Sequence, residues 1–211
     1  MRQPEGAPLT RRGKQVKMGN NHGTIILASA SPRRTELMEL AGIKFSVVPA
    51  DICENVLPGE APADHVIRLS REKADAVAKT HDGRFFIGAD TIVVLDGEIL
   101  GKPVDGDDAR RMLSGLSGRD HEVITGFTVF DKISGIHISR SVCTEVTFKK
   151  LGEKEITAYI ATGCPMDKAG AYAIQGGAVH FVRSINGSYT NVIGLPMTEL
   201  YEVLQTMQAI E

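Results

Sequence analysis

Ile25-Ile26-Leu27-Ala28-Ser29-Ala30-Ser31-Pro32-Arg33-Arg34 passes directly from an apolar run into a helix start. Thr24 to Leu27 reads as a short buried strand. Thr35-Glu36-Leu37-Met38-Glu39-Leu40-Ala41 reads as an amphipathic helix, with Gly42 as its stop. Ser31 stands at the N-cap and Pro32 at the first helical position, where a missing N–H costs nothing. Arg33 and Arg34 then fall in the first turn, where the helix dipole is already positive. Two guanidiniums are unfavourable there unless an anion meets them. Free N–H groups, small serines (Ser29 and Ser31) and paired arginines at one strand-to-helix turn describe a phosphate or polyphosphate site. A solvated arginine pair is the alternative that this stretch alone leaves open.

Beyond that turn, Lys44 to Val48 alternates as a strand, and Pro49 to Gly59 is a loop punctuated by proline and glycine. Ala63 to Lys79 has helical period, with Val66, Leu69, Ala74 and Val77 as its buried face. Phe85 to Leu95 is a near-continuous apolar run, the pattern of a strand covered on both faces. Asp96-Gly97 turns the chain into Glu98-Ile99-Leu100. A helix begins near Asp107 or Asp108 and ends at Ser114-Gly115. Glu122–Phe130 and Ile136–Lys149 form a long hairpin pair, and Lys154 to Ala161 is a short helix. Val179 to Ile185 is a strand turned by Asn186-Gly187, and a last helix opens at Pro196. Helices mixed with antiparallel pairs give an α/β class with a mixed sheet rather than a doubly wound parallel one.

A length of 211 residues suits one domain with a proper interior. The net charge of −2 argues against a general nucleic-acid binder, so any basic residues that matter are concentrated locally. No apolar run is long enough to cross a membrane. Cys53, Cys143 and Cys164 are widely spaced and read as incidental thiols of a reducing cytosol, so a cytoplasmic location is expected. Residues 1–23 carry Arg2, Arg11, Arg12, Lys14 and Lys17 with little to bury and no apolar signal core. They read as a disordered basic tail ahead of a single domain over 24–211, with Met18 an alternative start.

Asp90 is the second strong signal. A carboxylate inside an apolar strand is costly unless it is paired, hydrogen-bonded or bound to a metal. It is a candidate general base or metal ligand, and a structural partner of a core lysine is the other reading. Gly88 permits a backbone or a ligand to come close. Lys102, held before Pro103, Glu54 in the proline-bounded loop, and Lys73 on the second helix are solvated charges unless they converge with Asp90 and Arg33. Asp167 to Gly177 is rich in Gly and Ala around one amide. Gln175 there can both donate and accept toward a uracil-like base edge. Walker, dinucleotide-fingerprint, zinc-protease and nucleophile-elbow motifs are all absent.

Six segments in register resemble the Maf family of nucleoside triphosphate pyrophosphatases. They are Ser29–Arg34, Gly88–Thr91, Gly101–Pro103, Leu116–His121, Asp167–Gly176 and Gly187–Tyr189. The resemblance runs from about Ile25 to the last helix. It implies an elongated two-lobed α/β fold similar to inosine triphosphate pyrophosphatase, with nucleotide in a cleft between the lobes. It implies cleavage to the monophosphate and pyrophosphate with a divalent cation, Mg²⁺ or Mn²⁺, and a homodimer. Within the family, Thr after the strand aspartate and a later Ala-Tyr-x-Ile-Gln-Gly mark a dTTP/UTP group, as opposed to a 7-methyl-GTP group. Thr91 and Gln175 place this chain with the former.

The roles that follow are expectations. Asp90 serves as general base and, with Glu54, as metal ligand. Arg33, Arg34, Lys73 and Lys102 meet the phosphate charge, with Ser29 beside them, and Thr91 and Gln175 read the base. Two alternatives accompany this reading. One is a broader pyrophosphatase that clears modified nucleotides; the other is a nucleotide-binding regulator of cell division with slow hydrolysis. No nucleic-acid or membrane partner is expected.

Overall fold

The computed structural model describes residues 23–211. The basic stretch read over residues 1–23 therefore lies outside the described residues, apart from Gly23. In chain order the elements are β1 (Ile25–Ala28), α1 (Pro32–Leu40), β2 (Ser46–Val47), α2 (Pro62–Thr80), β3 (Phe85–Leu95), β4 (Glu98–Leu100), α3 (Gly106–Leu116), β5 (Asp120–Asp131) and β6 (Ile136–Phe148). There follow α4 (Glu153–Ala161), two 3₁₀ turns at Cys164–Asp167 and Ala169–Ala171, β7 (Val182–Asn186), α5 (Tyr189–Ile193) and α6 (Met197–Thr206).

The strands make one seven-stranded open sheet in the order β2-β1-β3-β5-β6-β7, with β4 paired to the far end of β3. β1 runs parallel to β2 and β3, and every other pair is antiparallel, which is the mixed sheet expected. Side chains alternate along β3. Phe86 packs with Ala74, Val77 and Ala78 of α2, and Ile92 and Val94 pack with Val66 of the same helix. On the opposite face, Phe85, Ile87 and Ala89 pack with Leu37, Met38, Ile193 and Leu200. Cover on both faces explains the unbroken apolar run. Asp90 falls on the α2 face and Thr91 on the other.

α2 rests on the sheet without side chains intervening at two points. A Cβ at Gly88 would stand 1.9 Å from the Ser70 carbonyl oxygen, and one at Gly126 would stand 2.6 Å from that of Val66. Gly126 lies opposite Asp90 in the β3–β5 register. The close approach that Gly88 permits is thus that of the helix backbone, and it brings Lys73 over Asp90.

Two apolar cores flank the middle of the sheet. One gathers α1, α5 and α6 around Leu27, Phe85 and Phe127; the other gathers α3 and α4 around Leu113, Phe148 and Phe181. Each such fully buried side chain contributes about 1.5–3 kcal/mol. These cores are the two lobes expected.

Several boundaries differ from the sequence reading. β2 shrinks to Ser46–Val47, both exposed, because it pairs only with β1. β7 starts at Val182 because Gly176 to His180 turns instead of extending, leaving Val179 63% exposed. α3 starts at Gly106, because Asp105 caps it by accepting from the Asp108 amide at 2.8 Å. The 3₁₀ turn at Ala169–Ala171 lies in the Gly- and Ala-rich segment that starts at Asp167, and α5 lies between the Asn186-Gly187 turn and the last helix, where no helix is expected.

Candidate active site

A cavity of about 590 Å³ takes walls from both lobes. It is lined by the β1–α1 turn, one face of α2, the middle of β3, Gly101 and Lys102, the Asp167–Ile174 segment and the end of α5. Ser29, Arg33, Arg34, Glu54, Lys73, Asp90, Thr91 and Lys102 all line it. Gln175 does not; it is exposed, one position beyond the wall residue Ile174.

The acid end is built around Lys73. Its Nζ donates to Asp90 Oδ1 at 2.7 Å and lies 2.6 Å from Glu54 Oε1. Lys102 Nζ donates to Glu54 Oε2 at 3.3 Å. Four charges distant in sequence thus form one chain across the cleft. Asp90 is the buried partner of a core lysine, one of the readings its strand allowed, and it also lines the cavity. Its Oδ2 makes no hydrogen bond to the described residues. Partial burial would raise the Glu54 pKa, but hydrogen bonds and charge from Lys73, with Lys102 behind it, hold that carboxyl below its ordinary range.

The arginines divide their work. Arg34 is buried and spends four of its five N–H groups on the protein. Nε donates to Gly194 O at 2.7 Å; Nη1 donates to Ala89 O at 2.8 Å and to Ser29 Oγ at 3.1 Å; Nη2 donates to Thr91 Oγ1 at 3.0 Å. Burial pushes its pKa below the usual arginine value, opposed by the nearby Asp90. Carbonyls from β3 and the end of α5 therefore supply much of the negative potential for which the sequence suggested an anion. Arg33 makes one long bond, Nε to Ile193 O at 3.3 Å, and is the guanidinium left for a ligand. Burial lowers its pKa as well, against the pull of Asp167.

Ser31 occupies the N-cap position, but its side chain makes no cap hydrogen bond. Its amide instead donates to Ser29 Oγ at 3.2 Å. Ser29 Oγ thus accepts twice, from Ser31 and Arg34, and keeps its own proton to donate.

The sequence reading missed several wall residues. His65, Leu69 and Lys73 recur every four positions on α2 and make one stripe along the cavity, a spacing that could have revealed His65. Glu60 accepts from His65 Nδ1 at 2.9 Å and from Arg68 Nε at 2.6 Å. Arg68 Nη2 also holds Asn55 O at 3.0 Å, pinning the loop that carries Glu54. Asp167 and Lys168, which are paired with each other, and Tyr172 complete the far wall. Tyr172 Oη lies 2.8 Å from Nε2 of the buried His121.

Two carboxylates converging on one cation are hard oxygen donors of the kind Mg²⁺ and Mn²⁺ take. Among the described residues no group of three His, Cys, Asp or Glu side chains stands together. Glu54 and Asp90 would supply such an ion with two of its oxygens at most, and the cation between them in this structure is the Lys73 ammonium.

The family model for Maf-like proteins matches residues 24–207. Proteins named dTTP/UTP pyrophosphatase are similar over most of the chain. That of Citrifermentans bemidjiense is 59% identical over 189 residues, covering 90% of this chain and 98% of its own. That of Geobacter metallireducens is 61% identical over 186 residues, covering 88% and 97%. That of Geobacter sulfurreducens is 58% identical over 188 residues, covering 89% and 98%.

Proposed function

The chain belongs to the Maf family, and on that footing we propose that it hydrolyses dTTP and UTP to the monophosphate and pyrophosphate in the cavity between its lobes. The observation that carries the site assignment is Lys73, whose ammonium joins Asp90 and Glu54 in the same cavity as Arg33 and a helix start without a side-chain cap.

Asp90 Oδ2 orients the attacking water and takes its proton, while Lys73 holds Oδ1 and thereby the angle of the carboxylate. Water adds at the α-phosphorus and the bond to the β-bridging oxygen breaks. Arg33, Lys73, Lys102, the spare N–H of Arg34 and the amides at the start of α1 face the charge that develops on the leaving pyrophosphate. Glu54 and Asp90 are the residues that would hold Mg²⁺ or Mn²⁺, which when bound neutralises phosphate charge and polarises oxygen. Thr91 stands where the wall can meet the base. Gln175 is exposed and outside the cavity lining, so its part in base reading rests on the family resemblance alone. The complete set of base and cations favours an enzyme over a nucleotide-binding regulator, which needs no positioned base.

A homodimer and a cytoplasmic setting belong to the same proposal. Three free, exposed thiols suit a reducing compartment, and no helix among the described residues is long and apolar enough to cross a membrane. Hydrolysis in ¹⁸O-labelled water tests the chemistry. The label is expected in the nucleoside monophosphate; label in pyrophosphate, or release of orthophosphate, would overturn attack at the α-phosphorus.

A further inference from the structure

We propose that Thr125, a fully buried threonine on β5 behind the cavity wall, fixes Thr91 as a hydrogen-bond acceptor and so selects bases that carry a proton on ring nitrogen 3. The inference rests on the reading of dTTP and UTP as substrates, and deepens it.

It follows from counting protons. A guanidinium can only donate, so Thr91 Oγ1 accepts from Arg34 Nη2 at 3.0 Å. Thr91 has one proton of its own and two oxygens near it: Thr125 Oγ1 at 2.9 Å and Gly194 O at 3.4 Å. Thr125 Oγ1 is the nearer by half an ångström and so the stronger acceptor; Gly194 O is long and already takes Arg34 Nε at 2.7 Å. Thr125 also has one proton, and Asn191 O stands 3.1 Å away to receive it. Once that proton goes to Asn191 O, Thr125 must accept from Thr91. The chain then runs one way, from Arg34 to Thr91 to Thr125 to Asn191 O.

Asn191 is a firm end for this chain. It is buried, and its Nδ2 donates to Val123 O and Thr144 Oγ1, both at 2.9 Å. Thr125 is 0% exposed and does not line the cavity, so it acts only through its neighbour. Thr91 does line the cavity, and with its proton committed inward its remaining lone pair is an acceptor toward a ligand. Uracil and thymine present an N–H at ring position 3, whereas cytosine presents a lone pair there. Were the chain reversed, Thr91 would accept from both neighbours and turn its proton outward, and the preference would invert.

The test compares Thr125→Val and Thr125→Ser with the parent chain through the ratio of kcat/KM for dTTP to that for dCTP. Valine keeps the volume and removes the hydroxyl; Asn191 O stays satisfied by the Gly194 amide at 2.9 Å. The valine variant is expected to lose about tenfold or more of the preference for dTTP, and the serine variant to keep it. A folded valine variant with an unchanged ratio would overturn the proposal. A second measurement needs no variant: the parent chain should process 3-deaza-UTP, which lacks the N3 proton, about tenfold or more less efficiently than UTP. Equal efficiency would also overturn it. A parent chain that hydrolyses no pyrimidine triphosphate refutes the substrate reading itself, whereas one that hydrolyses dTTP and dCTP equally refutes the inference alone.

Discussion

Lys73 Nζ lies 2.7 Å from Asp90 Oδ1, with the two side chains only 9% and 11% exposed. Among the described residues Asp90 has no other ion-pair partner, whereas Lys73 also holds Glu54 at 2.6 Å. Breaking such a pair by removing one partner costs about 3–5 kcal/mol, because the survivor stays buried and uncompensated. Lys73→Met is therefore expected to lower unfolding free energy by that amount and to abolish turnover. Adding Asp90→Asn to it should restore most of the stability and none of the activity. Denaturant unfolding of the single and double variants checks this; equal stability of Lys73→Met and the parent would contradict it.

Glu54 is 42% exposed, so its bonds to Lys73 and Lys102 add little to the fold. On the proposed reading its value lies in holding the divalent cation. Glu54→Gln should leave the unfolding midpoint nearly unchanged and raise the Mg²⁺ or Mn²⁺ concentration for half-maximal rate by about tenfold or more, the scale of one lost charge-assisted contact. A cation titration at saturating dTTP reads this out, and an unchanged half-maximal concentration would remove Glu54 from that role.

The two adjacent arginines should separate in experiment. Arg34→Lys loses a planar fork that serves Gly194, Ala89, Ser29 and Thr91, and a lysine cannot replace it. A stability loss of about 2–4 kcal/mol is expected. Arg33→Lys gives up a single long bond to Ile193 O and should fold normally while raising KM. Similar stability in both variants would mean that Arg34 does not hold the site together.

His121 gives the fold a pH dependence. Burial pushes its pKa from the usual 6.5 down to about 4. The unfolded chain takes up this proton as pH falls through 6.5, while the folded chain does not until about 4. The stability it contributes is thus complete above 6.5 and is lost between 6.5 and 4, to a limit of about 3 kcal/mol. His121→Phe keeps an aromatic ring against Phe148 and has no proton to gain. The drop in melting temperature from pH 7.5 to pH 5 should be smaller in that variant; an equal drop would assign the pH dependence elsewhere.

How much of this could be read beforehand varied with the physics of each segment. β3 matches its sequence limits, Phe85 to Leu95, because a strand covered on both faces is apolar throughout and stops where cover stops. Asp90 announced itself as the one charge in that run. The convergence of Glu54, Lys73 and Lys102 on it could only be conjectured, since it depends on α2 lying directly on Gly88 and Gly126. The inward turn of Arg34 was hidden for the same reason: its acceptors, Gly194 O and Ala89 O, are backbone groups and leave no mark on residue identity. Gln175 has the donor and the acceptor that a base edge needs, but its exposure follows from the turns around Gly176 and Gly177, whose course sequence pattern does not encode.

Pyrophosphate release should be measured from dTTP, UTP, CTP, GTP, ITP and 7-methyl-GTP with Mg²⁺ or Mn²⁺, using the parent chain and Asp90→Asn side by side. The predicted result is turnover confined largely to dTTP and UTP, falling by about 10²–10⁴-fold in Asp90→Asn while nucleotide binding persists. Turnover that survives in Asp90→Asn, or that favours 7-methyl-GTP, would contradict the account.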